Sequence, residues 1–184
     1  MTVLRAELKP HPASDRSGIR RFTVELDAAP KSRALLLDYR IEGDIDRLVL
    51  PPPGNARRVD GLWQHSCFEA FLGASRDGSY HEFNFAPSGD WAAWRFGGRR
   101  SAQSSPELPS PSIEFRRDAG ACRLSAAVSI ADLPELAGAA EIRAGMAAVI
   151  ETMDGALSYW ALAHDSEKPD FHDPASFLMR VRPR

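Results

Sequence analysis

The chain has few cysteines and no long apolar run. Of its 184 residues only Cys67 and Cys122 are cysteines, and they are not spaced as a CxxC pair. Both lie in apolar, strand-like patterns, which indicates small buried residues and not a disulfide or a metal site. No segment approaches the roughly 18 apolar residues of a membrane-spanning helix. Because Met1–Pro12 carries charges where a signal peptide needs its apolar stretch, we expect a cytoplasmic protein with no membrane partner.

Excess positive charge and catalytic motifs are also absent. The formal net charge is -2, and the arginine pairs Arg57-Arg58, Arg99-Arg100 and Arg116-Arg117 are scattered among acids. This composition argues against a nucleic-acid partner. The sequence contains no phosphate-binding glycine loop, GxSxG motif or standard zinc spacing. We therefore predict no catalytic residue, metal or cofactor.

What the sequence does contain is a series of short alternating strands separated by turn residues. The predicted strands are Arg21–Asp27, Leu35–Glu42, Leu48–Leu50, Cys67–Leu72, Tyr80–Ala86, Asp90–Phe96, Ile113–Arg117, Cys122–Ser129, Ile142–Met153, Leu157–Leu162 and Phe177–Val181. The segment Gly97–Ser112 reads as a long loop or flap, and Pro134 limits any helix to a short turn. About eleven strands with regular turn signals predict an all-β fold, an antiparallel β-sandwich of jelly-roll or immunoglobulin-like type. We expect residues 1–184 to form a single domain.

The clearest hairpin lies within the aromatic-rich stretch Gly61–Phe96. Its turn, Pro87-Ser88-Gly89, places proline where a type I turn accepts it and glycine where the left-handed conformation follows. A three-residue loop of this kind pairs Ala86 with Asp90. Counting outward, the further predicted pairs are Asn84 with Ala92, Glu82 with Trp94, and Tyr80 with Phe96.

Alternation then divides this region into two faces. The more apolar face is predicted to be the core side, and its members are Phe68, Ala70, Leu72, Phe83, Phe85, Trp91 and Ala93. The other face carries Glu69, Glu82, Asn84 and Trp94, a combination that suits sugar recognition by stacking and hydrogen bonding. Alternatively, the two glutamates are ordinary solvent-facing strand residues. A register slip of one residue would invert the hairpin's faces.

Three segments carry a resemblance to a known family. LWQHSCFEAFL, YHEFNFAPSGDWAAWRF and YWALAH…KPDFHDPASF together resemble the DOMON-like superfamily and, more broadly, the family 9 carbohydrate-binding modules. The resemblance spans roughly Leu62–Arg182 and implies a jelly-roll sandwich that binds sugar or haem. In sugar-binding members aromatic residues hold the sugar. The positions that match as ligand-binding candidates are Trp63, Trp94 and Trp160, with Glu69, Glu82, Asn84 and His164.

The resemblance favours a bacterial, non-catalytic binding module whose partner is a small sugar or glycoconjugate. One alternative is a haem or redox-linked domain, with axial ligands drawn from Met146, Met153, His65, His81 and His164. A second alternative is a glycoside-acting enzyme that uses Glu69 and Glu82 as its two carboxyl groups. The acidic, histidine-containing segment near the C-terminus is expected to be a loop held by local hydrogen bonds and by packing of Phe171.

Overall fold

The computed structural model describes residues 3–15, 18–29, 33–74 and 78–183. Within them almost all regular structure is β. The strands are β1 (Leu4–Glu7), β2 (Lys9–Pro10), β3 (Ile19–Ala29), β4 (Ala34–Gly43), β5 (Cys67–Gly73), β6 (Tyr80–Phe85), β7 (Trp91–Phe96), β8 (Ser112–Asp118), β9 (Ala121–Ser129), β10 (Ile142–Glu151), β11 (Leu157–Ala161) and β12 (Met179–Val181). The helical pieces are α1 (Pro134–Ala137) and 3-10 turns at Ile45–Arg47, Leu62–Gln64 and Pro174–Ser176. No helix among the described residues has the length and hydrophobicity needed to cross a membrane.

The strands form two antiparallel sheets. The smaller sheet has the order β1-β3-β4-β9-β8, and the larger sheet has the order β2-β11-β10-β5-β6-β7 with β12 also paired to β10. Two strands pair with different parts of β10: β12 pairs with residues 142–144 and β11 with residues 147–151. The predicted antiparallel β-sandwich is confirmed.

The core between the sheets follows from strict alternation along each strand. In β4, Leu35, Leu37, Tyr39 and Ile41 are buried while the residues between them are not. The inward residues of β5, β6 and β7 meet them from the larger sheet. Because every second side chain of a strand points to the same face, this alternation fixes which side of each strand faces the core.

Tyr39 connects the two sheets directly. Its hydroxyl donates to the backbone carbonyl of Glu69 at 2.8 Å and lies 3.3 Å from the sulfur of Met146. Its ring packs on Phe68, with centroids 5.4 Å apart. Burial raises the pKa of the Tyr39 phenol well above its usual value, so the group remains a protonated donor. One buried hydroxyl therefore ties the smaller sheet to the middle of β5.

The predicted hairpin register is confirmed. β6 and β7 pair Glu82 with Trp94, and the other pairs follow as expected. The Ala86 N–H donates to the Asp90 carbonyl at 2.8 Å and closes the turn. Gly89 has a φ of 89°, in the left-handed region where glycine is favoured.

Two points of the strand prediction need correction. β1 and β2 were not predicted, because their short, charged edge sequences lack a clear apolar face. The predicted strand Leu48–Leu50 is wrong, since Leu48 makes only an isolated bridge to Thr152 before the prolines begin. The predicted long loop Gly97–Ser112 is present up to the start of β8, and its first part folds back along β7, because Arg95 and Ser104 exchange backbone hydrogen bonds of 2.8 and 2.9 Å.

The inter-sheet hydrogen bond predicts a specific loss of stability. Tyr39→Phe should lower the free energy of unfolding by about 1–2 kcal/mol, because the Met146 sulfur and the Glu69 carbonyl lose a buried donor. Tyr159→Phe is the matched control, since no hydrogen bond of the Tyr159 hydroxyl is found among the described residues. Urea unfolding followed by circular dichroism measures both. Equal losses in the two variants would contradict a special role for Tyr39.

Candidate functional site

Four of the candidate residues lie on one face, the outer face of the larger sheet. Glu69 of β5 pairs with Asn84 of β6, and Glu82 of β6 pairs with Trp94 of β7. Because each is one residue out of phase with the core set, all four side chains leave the sheet on the side away from the sandwich interior. The structure thus brings together the polar and aromatic group that alternation predicts.

This face is covered and not open to solvent. Glu69, Glu82 and Asn84 are exposed by only 3%, 6% and 1%. Trp94 is the partly exposed member of the group. The alternative interpretation, in which the glutamates are ordinary solvent-facing strand residues, is therefore wrong.

The buried polar groups form a short hydrogen-bonded row with one gap. The Asn84 amide donates to Glu82 Oε1 at 2.7 Å, and its carbonyl oxygen lies 3.6 Å from the Cys67 thiol as acceptor. Glu69 Oε1, by contrast, is buried and has no hydrogen-bond partner among the residues that the structure describes. An unsatisfied buried carboxyl oxygen is costly and calls for a specific explanation.

Burial also changes the acidity of both carboxyl groups. The pKa of Glu69 is raised well above its usual value, first by desolvation and then by the neighbouring Glu82, while Arg100 opposes the change. Desolvation likewise raises the pKa of Glu82, which the hydrogen bond from Asn84 moderates. Because two carboxyl groups are buried side by side, the pair favours a state in which at least one of them keeps its proton.

The covering layer comes from the C-terminal region, and we call residues 170–177 the cover. Its side chains Phe171 and Phe177 join an apolar cluster on the outer face of the sheet, together with Phe71, Tyr80, Phe96, Ala147, Val149 and Ala161. Ala147 is the ladder neighbour of Glu69, so the cluster extends to the edge of the polar row. As the sequence predicts, local hydrogen bonds hold this loop, and Phe171 is packed.

His172 is the polar part of the cover. Its Nδ1 lies 2.8 Å from the Tyr80 hydroxyl, and its Nε2 lies 3.7 Å from Glu82 Oε2. Its ring contacts Phe71 and Phe96 edge-on, with centroids 5.2 and 5.0 Å away. Desolvation, then Arg100, lowers the pKa of His172 to about 4, so the ring is neutral at pH 7. The neutral imidazole therefore fills the space above Glu82 without supplying a counter-charge.

Gly145 lets the cover approach the sheet closely. A Cβ built at this position would lie 2.5 Å from Cδ1 of Phe177. Phe177 also stacks on Phe71, with ring centroids 5.8 Å apart. The glycine in the middle of β10 is thus explained by the phenylalanine that lies directly on the strand.

Two arginines reach the cover from the loop after β7, and we call Gly97–Ala102 the arginine turn. Arg99 and Arg100 converge on Asp170, with N–O distances of 2.5 and 2.9 Å. The backbone N–H of Arg100 also donates to the Tyr80 hydroxyl at 3.2 Å. The sequence places both arginines in the predicted Gly97–Ser112 loop and does not reveal their partner, since Asp170 lies 71 and 70 residues further along the chain.

The remaining candidates lie elsewhere. Trp63 is 56% exposed in a 3-10 turn that lies next to β5 and β6. His164 lies at the edge of the sheet, where its Nε2 is 2.9 Å from the carbonyl of Lys9. The structure corrects the prediction that Trp160 is a ligand-binding residue. Its side chain is buried in the inter-sheet core, where it packs on Phe22 and donates to the Ser158 hydroxyl at 3.0 Å. It faces away from Glu69 and is not part of this site.

The residues proposed for the haem alternative are spread over the molecule. Met146 lies in the core beside Tyr39, Met153 is 73% exposed in a turn, and His65 lies 2.8 Å from Glu151. No group of three or more metal-binding side chains occurs within the described ranges.

Comparison with known proteins supports the fold. No family model and no curated protein sequence matches the chain. Among solved structures, a Bacteroides uniformis protein provisionally described as carbohydrate-binding is similar at 14% identity and a TM-score of 0.63, over 98% of this chain and 86% of that one. A family 9 carbohydrate-binding module from Caldicellulosiruptor kristjanssonii in complex with cellotriose is similar at 10% identity and a TM-score of 0.57, over 98% and 82%. A family 9 module from the same organism in complex with glucose is similar at 9% identity and a TM-score of 0.50, over 95% of this chain and 83% of that one.

These likenesses define the class of the fold. The chain has the β-sandwich architecture of family 9 carbohydrate-binding modules. The narrower DOMON-like resemblance stays a prediction from the sequence.

The raised pKa of Glu69 predicts a pH-dependent cost that this residue imposes on stability. Above the ordinary glutamate pKa of about 4.3 the unfolded chain loses this proton while the folded chain keeps it, so the contribution of Glu69 to stability falls as pH rises, by up to about 1.4 kcal/mol per pH unit. The lowered pKa of His172, about 4 in the fold, contributes in the opposite direction up to the ordinary histidine pKa of about 6.5, so the Glu69 contribution is read as a difference between two proteins. The fall should end at the raised pKa of the folded state. Glu69→Gln should remove this contribution, so the unfolding free energy of the variant minus that of the unmodified protein should rise with pH above 4.3, which denaturant unfolding at several pH values measures.

Glu25→Gln is the control for that series. Glu25 is an exposed carboxyl on the smaller sheet, paired with Arg5 at 2.8 Å. Its replacement should leave the slope above pH 4.3 close to that of the unmodified protein. Identical slopes in Glu69→Gln and the unmodified protein would show that Glu69 ionises normally in the fold.

Proposed function

We propose that this protein is a non-catalytic carbohydrate-binding module. Its ligand is a small sugar or the sugar part of a glycoconjugate, and its binding face is the outer side of β5, β6 and β7. Glu69, Glu82 and Asn84 supply the hydrogen bonds, and Trp94 and Trp63 supply aromatic surface at the margin. His164, at the far edge of the sheet, is a peripheral candidate.

The observation that carries this proposal is the buried Glu69 Oε1, for which the described residues supply no hydrogen-bond partner. A buried carboxyl group without a donor weakens the fold, and a ligand hydroxyl would supply the missing hydrogen bond. The adjoining groups, Asn84 and Glu82, already form one hydrogen bond and offer further acceptor capacity. A site of convergent carboxyl and amide groups is suited to recognising hydroxyls.

Aromatic surface completes the argument. Trp94 is the ladder partner of Glu82 and remains partly exposed, and Trp63 is largely exposed beside the same strands. An indole stacks well on the apolar face of a pyranose ring while carboxyl groups take its hydroxyls. The similar modules of known structure bind cellotriose and glucose, which supports neutral glucose-type sugars as the first ligands to test.

No observation favours the haem-binding or glycosidase alternative, and both stay predictions. The cytoplasmic location also stays a prediction from the N-terminal sequence.

Trp63→Ala tests the proposed face without disturbing the core. Its side chain is 56% exposed, so the change should leave stability nearly unaltered. It should weaken binding of glucose or cellotriose by about tenfold or more, since truncating an aromatic anchor typically costs over 1 kcal/mol. Isothermal titration calorimetry is the measurement, because fluorescence would itself change when a tryptophan is removed.

The control for that experiment is Leu36→Ala. Leu36 is a 39% exposed apolar residue on the outer face of the smaller sheet, so its truncation should leave sugar affinity unchanged. Asn84→Ala should weaken binding through lost hydrogen bonds and serves as a second test of the face. If a panel of neutral, amino and acidic sugars gives no heat of binding, the proposal fails.

A further inference from the structure

The residues proposed to meet the sugar cannot be reached in the structure as it stands. Glu69, Glu82 and Asn84 are each at least nine-tenths buried. Above them lie the cover and the arginine turn, which come from different parts of the chain. A ligand that contacts these residues must displace part of that layer.

The charged contacts that hold this layer are superficial. Arg99 and Arg100 have side chains 47% and 57% exposed, and both bind Asp170, whose side chain is 15% exposed. Arg99 also lies 3.3 Å from Asp173. We call Arg99, Arg100 and Asp170 the latch. Because both arginines are about half-exposed, salt screens their attraction to Asp170.

The arginine turn is held in an uncommon backbone conformation. Arg100 and Ala102 have φ values of 51° and 48°, which non-glycine residues rarely adopt. Such conformations persist where surrounding contacts determine them. Here they are the backbone hydrogen bonds of Gly97 and Gly98 with Ser101 inside the turn, and the contacts of Arg100 with Asp170 and Tyr80. Loss of the latch would remove one of these supports.

Beneath the latch, the cover occupies the place of a ligand. His172 lies against Glu82 and is hydrogen-bonded to Tyr80, as a bound polar ring would be. It nevertheless leaves Glu69 Oε1 without a hydrogen-bond partner in the described part of the chain. The closed arrangement thus gives Glu82 a polar neighbour, while Glu69 Oε1 finds no hydrogen-bond partner among the described residues.

We propose that the cover is an autoinhibitory lid, closed by the latch, which must open before a sugar reaches Glu69, Glu82 and Asn84. This inference rests on the proposed function and adds a mode of regulation to it. Apparent affinity then equals the intrinsic affinity multiplied by the open fraction. Weakening the latch raises the open fraction and tightens binding, which is the opposite of what removing a ligand-contacting residue does.

The chain contains a reporter of opening that needs no sugar. Cys67 lies on the covered face, with its thiol 3.6 Å from the Asn84 carbonyl oxygen, and its ladder partner Val149 packs in the cluster that contains Phe171. Cys122 belongs to the core between the sheets. Opening of the lid should expose Cys67 alone, whereas global unfolding exposes both thiols.

The decisive variant is Asp170→Asn, which removes the carboxylate of the latch and keeps both arginines. We expect iodoacetamide to label Cys67 about threefold faster or more in this variant, a change of the size expected for loss of an exposed ion pair. Labelling of Cys122 should stay unchanged, as read by mass spectrometry of the two peptides. Glu114→Gln, which breaks an exposed ion pair with Arg116 on the smaller sheet, is the control and should change neither rate.

The binding arm uses cellotriose as the probe. Asp170→Asn should lower its apparent Kd by about the same factor as it accelerates Cys67 labelling. Raising NaCl from about 50 to 500 mM should tighten binding to the unmodified protein and not to the variant, because salt screens the latch. Arg100→Gln, an exposed change, should reproduce faster Cys67 labelling if Asp170→Asn folds poorly.

The two arms separate failure of the lid from failure of the proposed function. Faster Cys67 labelling in a protein that binds no sugar would support the lid and overturn the carbohydrate proposal. Binding of cellotriose with unchanged Cys67 labelling and unchanged affinity in Asp170→Asn would overturn the lid and keep the carbohydrate proposal. Equal acceleration at Cys67 and Cys122 would show global destabilisation and would also overturn the lid.

Discussion

The structure depends on one constraint: β5 and β6 are buried on both faces. Every residue of these two strands is buried. Alternation sends one set of side chains into the core and the other beneath the cover. The second set contains two carboxyl groups and an amide, which must find their hydrogen bonds among few neighbours because water is excluded. The hydrogen bond between Asn84 and Glu82, and the position of His172, follow from that shortage.

The carboxyl groups on the outer faces of the two sheets differ in their ionic partners. On the smaller sheet several carboxylates of the outer face pair with arginines, as Asp38 does with Arg123 at 2.6 Å and Glu114 does with Arg116 at 2.6 Å. On the larger sheet the nearby arginines, Arg99 and Arg100, pair with Asp170 in the cover instead of with Glu69 or Glu82. The acidic groups in the site therefore stay without a direct ionic partner.

Local patterns in the sequence were sufficient to predict the centre of the fold. The turn at Pro87-Ser88-Gly89 specifies its own loop length, and from that length the pairing of Glu82 with Trp94 and the two faces follow. Such predictions succeed because the information lies within about twenty adjacent residues. The unexpected burial of Glu69 could not be predicted in this way, since the segments that bury it follow some 30 and 100 residues later in the chain.

Trp160 shows a second limit of sequence reasoning. Tyr159 and Trp160 are adjacent aromatic residues, so alternation alone does not say which of them faces the core. The answer comes from pairing with β10, where Trp160 lies opposite the core residue Ala148. Register with a distant strand, and not local propensity, decided the orientation. The short strands β1 and β2 were missed for a related reason, because an edge strand gains its conformation from its neighbour.

The fold by itself says little about function, since β-sandwiches carry many activities and the three solved structures named above are 14%, 10% and 9% identical to this chain. The unfavourable burial of two carboxyl groups, and not the fold, is what supports a ligand. A face that served only to pack the cover would be more stable with apolar residues in place of Glu69 and Glu82. Retaining two carboxyl groups there, one of them unsatisfied, costs stability in the closed molecule. That cost is explained if the groups act when the cover is displaced, where a protonated carboxyl and its ionised neighbour can donate to and accept from the hydroxyls of one ligand.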